Sequence, residues 1–154
     1  MSLRKILILL AASATLIATG AARAHTDEYL DTQAAPHGGQ MRMAGVYHFE
    51  LVVAKDSPKA KANPVTVYVT DHAGAKVSTA GASGTVTLLA GKDRATIKLA
   101  PAGDNVLKGT GSYASAADLK AVVSVTLAGK PAEQARFMPM MKAGGQDAGK
   151  HMGH

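Results

Sequence analysis

Alternation of apolar and polar residues dominates this chain. In VYHFELVVA (46–54), Tyr47, Phe49, Leu51 and Val53 fall on one face of an extended strand, and His48 and Glu50 on the other. VTVYVT (65–70) alternates in the same way, with Val65, Val67 and Val69 in step. TVTLLA (85–90) and RATIKLA (94–100) flank Gly-Lys-Asp and predict a hairpin. VLKGTGSYA (106–114) reads as a weaker strand interrupted by glycines, AVVSVTLA (121–128) as the most strand-like stretch, and AEQARFMP (132–139) as a final strand. KDSPKAKANP (55–64), DHAG (71–74) and PAGDN (101–105) carry the Pro, Gly, Asn and Asp of turns. AKVST (75–79) is a short extended piece, and SAADLK (115–120) predicts one helical turn.

Short strands of this kind, with turn signals between them, predict an all-β fold. The expected architecture is an Ig-like antiparallel β-sandwich of about seven strands over residues 46–139. One face of each strand should meet the core and the other should be wet. The chain has no Cys and no Trp, so the disulfide and tryptophan of antibody domains have no counterpart.

The two ends break the pattern. Residues 1–24 open with Arg4 and Lys5, continue through the apolar run ILILLAASATLIATG and finish on Ala22-Arg23-Ala24. A charged start, apolar middle and small-x-small exit predict a cleaved secretory signal peptide. The apolar run is too short to leave a stable membrane span once cleaved. Residues 25–45 are polar, with Pro36, Gly38, Gly39 and Gly45, and predict a flexible N-terminal arm. Residues 140–154 are rich in Gly, Met and His and predict a disordered tail.

Charge changes this picture little. The formal net charge of +6 is halved if Arg4, Lys5 and Arg23 leave with the signal peptide. No cluster of Lys and Arg with interleaved aromatics is present, which argues against nucleic acid as a partner. No Ser-His-Asp set, P-loop or supported acid pair stands out, so the chain is not expected to be an enzyme.

The donor residues change it most. His37, Met41, Met43 and His48 lie within twelve residues, and Met138, Met140, Met141, His151, Met152 and His154 within the last seventeen. Residues 49–137 hold only His72, which is expected to be an exposed turn histidine. Methionine used as core filler would be scattered among the strands. Thioether sulfur suits Cu(I) and Ag(I), whereas imidazole also takes Cu(II), Zn and Ni. Met41 and Met43, two apart, share a face of an extended segment. The plainer alternative is that these methionines cap the open end of the sandwich. Cleavage after Ala24 would also free the amine of His25, which together with its imidazole could chelate Cu(II).

PHGGQMRMAGVYHFELV, VYVTDHAGAKVSTAGASGTVTLL and LAPAGDNVLKG together resemble small periplasmic heavy-metal-handling β-sandwich proteins. These are related to modules associated with the adaptor subunits of heavy-metal RND efflux pumps. The resemblance covers about residues 35–110 and points to His37 and His48 as functional positions. It implies a periplasmic location, resistance to copper, silver, zinc or a neighbouring ion, and a partner that is an efflux-pump adaptor or another metal acceptor. The chain lacks the hairpin, lipoyl and barrel regions of a full adaptor. The expected function is therefore a copper or silver carrier or sequestrant, with zinc as a further candidate ion. The alternatives are a metal-free Ig-like interaction module docking on an efflux complex, and a copper oxygenase built on a His25 brace.

Overall fold

The computed structural model describes residues 26–141. The strands are β1 (Gln40–Ala44), β2 (Tyr47–Val53), β3 (Lys61–Asp71), β4 (Ser83–Ala90), β5 (Asp93–Pro101), β6 (Val106–Tyr113), β7 (Lys120–Thr126) and β8 (Ala132–Phe137). One short helix, α1 (Asp27–Asp31), precedes them. All pairings are antiparallel, in the order β1-β2-β3-β6-β5-β4-β7-β8. The expected antiparallel sandwich forms, with eight strands because β1 adds to the seven read from the sequence.

The sheet folds into two layers. β1, β2, β3 and β6 make one, and β5, β4, β7 and β8 the other. They join where Ala100 and Pro101, at the end of β5, pair with Lys108 and Leu107 of β6. At the opposite side β1 lies against β8, and the backbone N–H of Met138 donates to Gln40 Oε1 at 2.8 Å, so the sheet nearly closes into a barrel. Closure leaves few unpaired strand edges.

The core lies between the layers. Phe49, Leu51, Val65, Val67, Val69 and Leu107 come from the first, and Val86, Leu88, Ile97, Val123, Val125 and Phe137 from the second. These are the alternate positions of each strand, as the pleat requires. The glycines that interrupt β6 have a packing cause. A Cβ on Gly109 would collide with the Lys98 carbonyl oxygen, and one on Gly111 with the Ile97 side chain. β6 can therefore pass close to β5 where the layers join.

Two expectations fail in the described part of the N-terminal arm and in the 115–120 loop. Residues 26–45 hold α1 and β1 rather than an irregular arm. Thr26 caps α1 by accepting from the Tyr29 N–H at 3.2 Å. Asp31 and Asp27 of this segment bind Arg42 on β1, at 2.6 and 3.8 Å, and Asp27 also accepts from the Met43 N–H at 3.0 Å. These contacts fasten the segment to the first layer. Residues 115–120 form a turn closed by Leu119 N–H on the Ala116 carbonyl at 3.0 Å, with Leu119 buried, and not a helical turn. No helix among the described residues is long and apolar enough to cross a membrane.

Candidate functional site

The outer face of the first layer is where β2 departs from a wet surface. His48 and Glu50 point away from the core, yet they are only 6% and 4% exposed. Residues 29–39 fold over them. Register defines the face: Met43, His48 and Thr70 stand opposite one another across β1, β2 and β3, and so do Met41, Glu50 and Tyr68. Directly opposed residues in an antiparallel pair project to the same side.

Glu50 organises the cover. Its Oε1 accepts from the backbone N–H groups of His37 at 2.8 Å and Gly39 at 3.0 Å. Its Oε2 lies 2.7 Å from His37 Nδ1. As a carboxylate Glu50 can only accept, so Nδ1 carries the proton and Nε2 of a neutral His37 carries the lone pair. The imidazole also stacks on Tyr68, with centroids 3.5 Å apart and planes within 2°. Gly39 is needed for this closeness, because a Cβ there would strike the Leu51 carbonyl. A hydrogen-bonded carboxylate behind a histidine is the arrangement that fixes ring orientation and basicity in metal sites.

The result is a cleft of about 310 Å³ lined by His37, Met41, His48 and His72, with Glu50 and Tyr68 in its wall. His72, expected to be an exposed turn residue, instead stacks on His48 with centroids 4.9 Å apart, and the Nε2 atoms of both are buried. It follows β3 directly, where the Asp71–Gly74 turn brings it back over the face. Met43 shares the face opposite His48 but does not line the cleft.

A second cleft of about 410 Å³ adjoins the first, and Met41 belongs to both. Met140 and Met141 line this second one, so methionines far apart in sequence share one cleft with Met41. Met140 packs against the core and Met141 is half exposed. Met138 faces a different groove on the second layer. His25, His151, Met152 and His154 lie outside the described residues.

Glu50, Tyr68 and His72 were not singled out by the sequence as site residues. For Glu50 the only sequence signal was its place between His48 and the strand's apolar run. Among the described residues no group of three or more His, Asp or Glu side chains could hold a metal ion. The Met41 thioether beside these imidazoles is a soft donor, which suits a soft ion and not Ca²⁺ or Mg²⁺. Comparison with protein-family models, with curated proteins and with solved structures gives no match.

Proposed function

We propose that this protein is a periplasmic carrier or sequestrant of a soft metal ion, Cu(I) or Ag(I), that supports heavy-metal resistance. The observation that carries the reading is the convergence of His37, Met41 and His48 in one cleft, with His72 beside them. Two features of the cleft support it. The donors are neutral imidazole and thioether, which favour Cu(I) and Ag(I) without requiring deprotonation of sulfur. His37 is preset by Glu50 and Tyr68, so less freedom is lost when its Nε2 takes a ligand.

Met41, Met140 and Met141 extend the donor set toward the second cleft. A partly open site with few fixed ligands suits release to an acceptor, such as an efflux-pump adaptor, better than permanent storage. The function proposed is binding rather than catalysis.

The test is a titration of the whole protein with Cu(I), Ag(I) and Zn(II) against a competing chelator. Met41→Leu conserves volume and should fold normally. It should weaken Cu(I) binding at least tenfold and change Zn(II) binding little. Tighter binding of Zn(II) than of Cu(I), or Cu(I) affinity untouched by Met41→Leu, would overturn the proposal.

A further inference from the structure

Three arginines occur among the described residues, Arg42, Arg94 and Arg136, and all three line one groove. The groove runs over the outer face of the second layer and encloses about 520 Å³. The register shows how it is built. Leu89 on β4 stands between Arg94 on β5 and Lys120 on β7. One row further, Val122 on β7 stands between Thr87 on β4 and Arg136 on β8. Leu89 is 41%, Val122 37% and Met138 40% exposed. The next row of the same face is Lys98, Thr85, Ser124 and Gln134, with no apolar side chain. Across these rows the apolar exposure thus falls in the groove, and no carboxylate lines it among the described residues.

Arg42 is already compensated by Asp31 and Asp27. Arg94, Lys120 and Arg136 make no ion pair among the described residues. An apolar floor within a rim of arginine is the composition of protein–protein contact surfaces.

We infer that this groove docks an acidic segment of a partner protein, in which an apolar side chain is flanked by carboxylates. The geometry sets the spacing. Arg94 and Arg136 are three inter-strand steps apart across the sheet and one row apart along the strands, ~16 Å between backbones. An extended peptide crossing the groove covers that distance in about four to five residues. The cations surround the apolar floor instead of sitting at one end of it, so a single-headed anion would leave most of them unmatched. The guanidinium fork prefers bidentate contact with a carboxylate. The chain's own residues 142–154 bring one acid, Asp147, against Lys142 and Lys150, and do not fit.

The experiment uses the whole protein and a fluorescein-labelled synthetic peptide, Gly-Glu-Ser-Leu-Ser-Glu-Gly, read by fluorescence anisotropy. The peptide with both Glu replaced by Gln should bind at least tenfold more weakly. Arg94→Gln/Arg136→Gln should weaken the acidic peptide at least tenfold, and Leu89→Ser/Val122→Ser likewise. Arg94→Lys/Arg136→Lys preserves net charge and should still lose at least threefold. Lys59→Gln/Lys108→Gln, away from the groove, should stay within twofold. A thermal melt of each variant confirms folding. Equal binding of the acidic and Gln peptides, or binding indifferent to the arginines, overturns the inference. So does arginine-dependent binding to phosphatidylglycerol vesicles without peptide binding, which would make the surface a membrane contact. None of these residues lines the histidine cleft, so the outcome is independent of the metal proposal.

Discussion

Replacing Glu50 separates two roles that one carboxylate performs. Both backbone bonds, from His37 and Gly39, end on Oε1, while the His37 ring meets Oε2. In Glu50→Gln the amide oxygen can keep the Oε1 position and both backbone donors. The amide nitrogen then faces His37 Nδ1 and can only donate to it, so the imidazole must move its proton to Nε2. The cover stays anchored, but the lone pair leaves the cleft.

The magnitude follows from the bonds. Hydrogen bonds to a charged group contribute about 1.5–3 kcal/mol and neutral ones about 0.5–1.5. Some of that difference is recovered because the His37 side chain is 42% exposed and reaches water. Glu50→Gln should therefore cost about 1–2 kcal/mol. Glu50→Ala removes the acceptors altogether beneath a nearly closed cover and should cost about 2–4 kcal/mol. Urea unfolding gives the stabilities, and long-range 1H–15N NMR correlations give the His37 tautomer directly. Wild type should show protonated Nδ1, and Glu50→Gln protonated Nε2. An unchanged tautomer in Glu50→Gln, or Glu50→Ala as stable as wild type, would mean that Glu50 neither sets the His37 ring nor anchors the cover.

The other predictions concern the frame. The Tyr113 hydroxyl donates to the Pro64 carbonyl and accepts from the Ala54 N–H at 2.9 Å, so Tyr113→Phe should cost about 1–2 kcal/mol in denaturant unfolding. Burial raises the Tyr113 pKa above its ordinary value of 10.0, outweighing the Ala54 hydrogen bond that lowers it. The folded state then holds its proton longer than the unfolded state, so this contribution is whole below pH 10 and is lost as pH rises through the folded pKa; Tyr113→Phe should lack that alkaline loss. Gly109→Ala should cost about 1–3 kcal/mol because its Cβ meets backbone, whereas Gly103→Ala, whose nearest neighbours are Val106 Cβ and Cγ2 at 3.6 Å, should change the unfolding midpoint far less.

Much of the frame was legible because strands β2 to β8 carry alternation that the pleat enforces locally, although residues 61–64, read as turn, open β3, and the glycines of β6 weakened its signal. The β4–β5 hairpin fell where the Gly-Lys-Asp turn placed it. β1 was not read as a strand: Gln-Met-Arg-Met-Ala alternates, but over only five residues at the end of a polar stretch with Pro36, Gly38 and Gly39, and it is a strand because β2 pairs with it and α1 is tied to it through Arg42. The second, covered face of β2 was hidden for the same reason. His48 and Glu50 occupy polar positions of an alternating pattern, and only the fold of residues 29–39 shelters them. The grouping of His37, Met41 and His48 was read from proximity in sequence. The place of His72, and the cleft that Met41 shares with Met140 and Met141, depend on β3 and on closure against β8, contacts between distant parts of the chain that no local window carries.

In the proposed site, thioether and imidazole hold the ion together. X-ray absorption at the copper edge of the Cu(I)-loaded protein, at one equivalent, reads the ligand shell itself. Mixed sulfur and nitrogen scattering is expected, with the sulfur component reduced in Met41→Leu and the nitrogen component reduced in His37→Ala. A shell of nitrogen and oxygen alone, or a sulfur component unchanged in Met41→Leu, would contradict it.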